Sequence, residues 1–260
     1  MQSKSRLNLS RQSDLFPLSD LNRPPDLSPL SDDTTRPRFA GSHPSQLTYA
    51  IIGCGGIGSN LANLIARLGG EHFILFDPDE VAEENIAPGW FRLEDVGRMK
   101  VDAVALRLEE LGVQNAFLDP RDYPYKNQLV EANVVIVATD KMDSRRRVWR
   151  NRDRFEGWRL WIDCRMGGDQ ASVYVSLNPA HTVDWPEQDK IYMGFLSSYD
   201  ASLQLPDTPL PCGMKATAAL TVGMIPGMVG LVLHRTANFK LPPKHMFFKM
   251  DEAWWTVVEA

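Results

Sequence analysis

The spacing of apolar residues changes along the chain, and each change marks an expected element. LTYAIIG, starting at Leu47, is a continuous apolar run that ends in glycine, which predicts a parallel strand buried on both faces. Ile57 to Leu68 repeats at helical spacing. HFILFD (His72 to Asp77) predicts a second buried strand, VDAVALRLEEL (Val101 to Leu111) a helix, and NVVIVATD (Asn133 to Asp140) a further strand ending in an acid. RLWIDCR (Arg159 to Arg165) and ASVYVSL (Ala171 to Leu177) predict two later strands, close enough to form a hairpin or mixed edge. Strand and helix alternate. The expected fold is α/β: a Rossmann-like, doubly wound, mostly parallel sheet with helices on both faces and a mixed C-terminal edge.

The flanks read differently. Pro24 to Pro44 is rich in Pro, Ser, Asp and Arg and has too little apolar surface to offset its ordering entropy, so a flexible loop is expected. This divides the chain into an N-terminal arm, residues 1–47, with that flexible Pro/Ser-rich segment, and one domain, residues 48–260. Ala216 to Leu233 carries no charge and approaches the length of a membrane span, but contains Thr217, Thr221, Pro226 and glycines. A buried core helix bent at Pro226 is expected, with no membrane association. The tail holds Trp254 and Trp255.

Composition narrows the function. A formal charge of -5 gives no general cationic field for a phosphate backbone, so bulk nucleic acid is not an expected partner. The N-terminus lacks the apolar core of a secretory signal. Cys54, Cys164 and Cys212 lie far apart without a C-x-x-C pair, which suggests neither a zinc ribbon nor a disulfide framework and fits a reducing, cytoplasmic setting.

Gly53-Cys54-Gly55-Gly56-Ile57-Gly58 follows a strand and opens a helix, the context in which glycines at Gly53, Gly55, Gly56 and Gly58 let a backbone approach a phosphate at a helix N-terminus. Asp77 ends the next strand about 24 residues after Gly53, near the spacing at which an acid accepts ribose hydroxyls. A ribose-bearing nucleotide is expected. The bland alternative is a glycine turn that only lets strand and helix pack closely, and the motif alone does not separate a dinucleotide from ATP.

Further residues follow in order: Asp77-Pro78-Asp79, Glu84-Asn85, Asp95-Val96-Gly97-Arg98-Met99-Lys100, and Thr139-Asp140 with Arg145. This set resembles the ThiF/MoeB family, the prokaryotic relatives of ubiquitin-activating enzymes. Ser10-Arg11-Gln12, Arg165-Met166-Gly167-Gly168 and Pro211-Cys212 resemble its phage- and operon-borne branch. The resemblance implies an adenylyltransferase that uses ATP and Mg²⁺ on the C-terminal glycine carboxylate of a ubiquitin-like or sulfur-carrier protein. It further implies a homodimer, and transfer to a thiol or a conjugating enzyme. Residue by residue, it implies that Asp77 holds the ribose, Asn85 and Lys100 contact phosphate, Asp140 binds Mg²⁺, and Asp79 is a secondary polar contact. The bland readings are a solvated Lys100 in the first turn of a helix and Asp140 as a helix N-cap.

The chain also departs from the family. Pro88 stands where the best-characterised members carry a phosphate-contacting arginine. Arg11, which resembles an arginine contributed across a dimer interface, is a candidate replacement, as are Arg98 and Arg145. The family's zinc-binding cysteine pairs are missing, so no structural zinc is expected. Cys212, beside Lys215 and before the apolar helix, is the candidate acyl-accepting thiol, against the commoner fate of a buried cysteine. Cys54 and Cys164 read as structural. Arg165-Met166-Gly167-Gly168 is either a turn lining the entry of a partner's tail or a simple hairpin. Two rival readings follow: a catalytically silent nucleotide- or ubiquitin-like-protein-binding partner, motivated by Pro88, and an NAD-dependent oxidoreductase sharing the glycine turn and Asp77.

Overall fold

A computed structural model describes residues 44–123, 128–167, 170–178, 214–238, 240–249 and 254–258. The first strand, β1 (Thr48–Ile52), leads through the glycine turn into helix α1 (Gly56–Arg67), followed by β2 (His72–Phe76). Helix α2 (Lys100–Glu110) and β3 (Asn115–Asp119) come next, then β4 (Val130–Glu131), β5 (Val134–Val137) and α3 (Met142–Arg150). Strands β6 (Phe155–Glu156), β7 (Leu160–Gly167) and β8 (Gln170–Leu177) precede the long helix α4 (Met214–Ala237). β9 (His245–Lys249) and β10 (Trp254–Val258) end the described chain.

Eight strands form one sheet in the order β10-β9-β8-β7-β5-β1-β2-β3, while β4 and β6 form a separate parallel pair. Pairing is parallel from β3 through β7 and antiparallel from β7 to β10, the mixed edge that the close spacing of β7 and β8 predicts. Chain order reverses around β1, which lies between β2 and β5. In open α/β sheets, ligands bind outside the carboxyl ends of the strands at such a reversal.

Alternation along β1 explains why its apolar run is unbroken. Tyr49 and Ile51 enter the core with Leu61 and Ile65 of α1, Val104 of α2 and Val229 of α4, while Ala50 and Ile52 enter a second core with Val148 and Trp149 of α3. Both faces are therefore covered. Trp161 anchors the second core, with Trp149, Phe155 and Trp158 edge-on to it at ring-centre distances of 5.1 to 5.6 Å.

Several expectations need correction. The third predicted strand ends at Val137, so Thr139 and Asp140 lie beyond it, in the connection to α3. β3 and β9 escape the apolar pattern because each is short and only partly buried, and the Trp254-Trp255 tail is an added edge strand. Val222, Ile225, Val229 and Val232 of α4 are buried, so this helix covers the sheet together with α1. Among the described residues no helix is long and apolar enough to cross a membrane.

One partly buried group makes stability depend on pH. His245 stacks on Tyr174 at 4.1 Å and 9°, with the Arg165 guanidinium 4.2 Å from the same ring. Burial, helped by the charge of Arg165, pushes its pKa down from 6.5 to about 4. A folded pKa below the unfolded one contributes stability that is fully present above pH 6.5 and lost as pH falls from there through about 4. The ring is only partly buried, so solvent screening keeps the loss to about 1–2 kcal/mol. His245→Phe keeps the stacking, and among the described residues Nε2 has no hydrogen-bond partner to lose. Thermal melts of this variant across that pH range are expected to show a shallower acid-side slope than the wild type, the carboxylates supplying the remainder.

Candidate active site

The site is built where β1, β2 and β5 end. Gly53 adopts φ +94°, and a Cβ there would lie 2.8 Å from the Ala138 carbonyl, so the first glycine lets the turn lie directly against the exit of β5. A Cβ on Gly58 would fall inside the Gly53 carbonyl oxygen, so the last glycine seats α1 on the turn. Gly55 is different, because nothing lies within 4 Å of its added Cβ. The first hydrogen bond of α1 runs from Ser59 N to Gly55 O, leaving the amides of residues 56–58 at the open end. Those amides and the helix dipole favour an anion.

Asp77 leaves the end of β2 and turns back to the glycine turn. Its buried carboxylate accepts hydrogen bonds from Cys54 N at 2.7 Å and Asp79 N at 2.9 Å. Burial raises its pKa above the ordinary value, opposed by the charge of Lys100 and by the two backbone amides. Two amides do not exhaust the lone pairs of a carboxylate, so capacity remains for hydroxyl donors. Lys100, the first residue of α2, lies 2.8 Å from Asp79 and 3.9 Å from Asp77. It is 9% exposed, which overturns the solvated reading of this lysine. An antiparallel bridge between Glu80 and Met99 brings the two segments together.

Asp140 is exposed at the exit of β5, and among the described residues no hydrogen bond or ion pair holds its carboxylate. The N-cap of α3 is Lys141 and makes no side-chain cap bond, so the capping role considered for Asp140 is not the one observed. Beside it, Thr139 Oγ1 is buried, with no hydrogen-bond partner among the described residues. An orphaned hydroxyl here fits a crevice that receives a polar ligand.

Asn85 is occupied locally. Its Oδ1 accepts the Ala82 amide at 3.0 Å, and its carbonyl accepts the Gly89 amide, which tightens the turn leading into Pro88. Sequence reasoning missed what fixes that turn. Asn60 Nδ2 donates to both the Gly56 and Pro88 carbonyls at 2.7 Å, and Trp90 N donates to Ser59 Oγ at 2.9 Å. Pro88 Cβ would lie 3.2 Å from a Cβ on Gly56, so the proline roofs the first turn of α1. The partners stand about 30 residues apart with no local signal linking them.

The candidate replacements for the missing arginine fare unequally. Arg145 is buried and donates to the buried Asp163, which also accepts from Arg165 Nε at 2.6 Å, so strand alternation on β7 commits Arg145 to an internal ion pair. Arg98 is exposed and lines a shallow groove with Asp102 and Glu109 of α2 and Leu118 of β3. Arg11 and Cys212 lie outside the described residues, as does Gly168. β7 runs to Gly167 and pairs with Gln170, in keeping with the hairpin reading of that motif. Cys54 and Cys164 are wholly buried, and burial raises both thiols well above the ordinary range. Neither suits a nucleophile.

A mostly parallel sheet that reverses around β1, with a glycine turn there and Asp77, Asp79 and Asp140 in the segments that follow β2 and β5, defines a Rossmann-like α/β protein. Residues 43–154 match the ThiF family model. Ubiquitin-like modifier-activating enzyme 5 from Bombyx mori is 39% identical over 64 residues, which is 25% of this chain and 16% of that protein. The crystal structure of PaaA superposes with a TM-score of 0.60 at 17% identity, covering 83% of this chain and 64% of that one. E. coli MccB solved with ATP gives a TM-score of 0.57 at 16% identity, covering 82% of this chain and 63% of that one. The chain spans less than two thirds of each of these relatives. At these identities the structural likeness establishes the fold.

Proposed function

We propose that the chain is an adenylyltransferase that joins AMP to the C-terminal carboxylate of a polypeptide. The observation that carries the reading is the buried Asp77, fastened to the glycine turn through Cys54 N and flanked by Lys100, beside a turn whose Gly55 has open space where a side chain would be. Support comes from the ThiF family match and from MccB, a similarly folded protein solved with ATP and, in another crystal, with AMPCPP and MccA.

In this reading Asp77 accepts the ribose hydroxyls, the amides at the start of α1 receive phosphate oxygens, and Lys100 offsets their charge. Asn85 borders the phosphate region from the Pro88 turn, with Asp79 holding Lys100 in place. Attack by the partner's carboxylate oxygen forms the new bond to the α-phosphorus and breaks the bond to the bridging oxygen, and pyrophosphate leaves. Among the described residues no group of three or more His, Cys, Asp or Glu side chains is placed to hold a metal. A lone exposed Asp140 suits Mg²⁺, which keeps several waters and phosphate oxygens and takes few protein ligands. When bound, Mg²⁺ neutralises and orients the triphosphate.

The polypeptide is a ubiquitin-like or sulfur-carrier protein, with Cys212 or a separate conjugating enzyme as the later acyl acceptor. A cytoplasmic homodimer with Arg11 reaching the partner's site completes the proposal. ATP–pyrophosphate exchange dependent on a Gly-terminated polypeptide tests it. Asp140→Ala is expected to abolish exchange while the thermal midpoint stays put, because no described contact is lost. Unchanged turnover would remove the Mg²⁺ assignment. Pro88 packed over Gly56 favours a second reading, a silent partner that binds nucleotide without adenylating. Tight MgATP binding with no exchange for any Gly-terminated candidate would select it.

A further inference from the structure

We infer that Lys141 is a phosphate ligand of this crevice, supplying the positive charge that Pro88 removes. The inference rests on the nucleotide reading above and assigns to it a residue that no motif marks.

Its position begins the argument. Lys141 is the N-cap of α3, directly after Asp140, with φ −94° and ψ 132° and no side-chain cap bond. Helix N-caps favour Ser, Thr, Asp and Asn, whose side chains accept the orphan amides, and a cation there also faces the positive end of the helix dipole. Lysine satisfies neither preference. Departures from local rules concentrate where function overrides stability. Here the departure lies at the exit of β5, which is packed against the glycine turn at Gly53 and holds the unpartnered, buried Thr139 hydroxyl.

Charge balance gives the second reason. Asp77, Asp79 and Asp140 contribute negative charge to the crevice, and Lys100 is shared between the first two. A triphosphate entering there meets carboxylates and an already engaged lysine. Arg145 is held by Asp163, Arg121 by Asp119 at 2.5 Å, and Arg98 lines the groove over α2. Lys141 is exposed, and among the described residues no ion pair engages it. An exposed lysine beside Asp140 at the exit of β5 can bring a flexible ammonium to phosphate oxygens as a point charge, and its pull adds to that of the α3 dipole.

Calorimetric titration of the full chain with MgATP and with adenosine, together with thermal melts, tests the assignment on Lys141→Ser and Lys141→Arg. The serine variant is expected to bind MgATP about ten- to a hundredfold more weakly, to bind adenosine as the wild type does, and to melt no lower because it gains a cap. The arginine variant is expected to retain most of the MgATP affinity. MgATP affinity in Lys141→Ser within twofold of the wild type would overturn the role of Lys141 and leave the nucleotide site standing. Equal weakening of MgATP and adenosine would overturn it as well, because a phosphate contact cannot affect a ligand without phosphate. A wild-type chain that does not bind MgATP would bring down both the inference and the reading beneath it.

Discussion

Gly58→Ala is expected to cost this protein about 3 kcal/mol or more, or to prevent folding, although it adds only one methyl group. The added Cβ falls inside the Gly53 carbonyl oxygen and 3.2 Å from Ile51, with backbone on one side and a wholly buried strand on the other. Backbone cannot yield as a flexible side chain does, so α1 must move off the turn. Gly55→Ala is the matched control. Its methyl meets nothing within 4 Å, so the fold is expected to survive while the methyl occupies space meant for ligand. Chemical denaturation should separate the two variants by their midpoints, and MgATP titration should show weakened binding in the folded Gly55 variant. Equal stability for both would mean that the turn is not packed as described here.

Lys100→Ala is expected to lower pyrophosphate exchange about 100- to 1000-fold, the scale seen when one preorganised charge-stabilising group is removed. The lysine is almost fully buried and joins two carboxylates of unequal exposure: Asp79 is largely in water, whereas Asp77 is not. Its removal leaves Asp77 buried with two backbone amides and no cation. That raises the Asp77 pKa further, because the charge opposing desolvation is gone. A moderate loss of stability should therefore accompany the loss of activity, about 1–3 kcal/mol. Circular dichroism of the variant at the assay temperature separates lost chemistry from lost fold. Exchange near the wild-type rate would place the phosphate charge elsewhere and remove Lys100 from the site.

The Pro88 turn shows how a substitution can be both structural and functional. Asn60 fastens the Pro88 carbonyl to the first turn of α1, and Ser59 fastens Trp90, so the turn is rigid without a charged side chain. A proline suits this role because it needs no amide partner of its own. The same geometry puts an apolar ring over Gly56. If the proposed phosphate site is right, its charge has to come from other strand ends, and the Lys141 variants at the exit of β5 test that.

Much of this was legible in the residues themselves. Buried parallel strands produce unbroken apolar runs, and Leu47 to Gly53, His72 to Asp77 and the core of Asn133 to Asp140 were recognisable for that reason. The glycine turn and its acid at Asp77 were legible because their geometry is local to one strand-turn-helix unit and the strand beside it. The short strands β3 and β9 were not, since partial burial blurs a period of two over five residues.

By itself, then, the sequence determined the elements whose signal is short-range: core strands, amphipathic helices, and a turn that only glycine permits. Tertiary structure decided which charges remain available to a ligand. Arg145 was a candidate cation until β7 placed Asp163 beside it, and the solvated alternative for Lys100 fell only when the lysine proved buried beside Asp77 and Asp79. Such pairings depend on strand order and on which face each side chain takes, and both are set by long crossovers that join distant segments. No local pattern encodes them, because the energy that selects a crossover comes from burying the whole sheet on both faces.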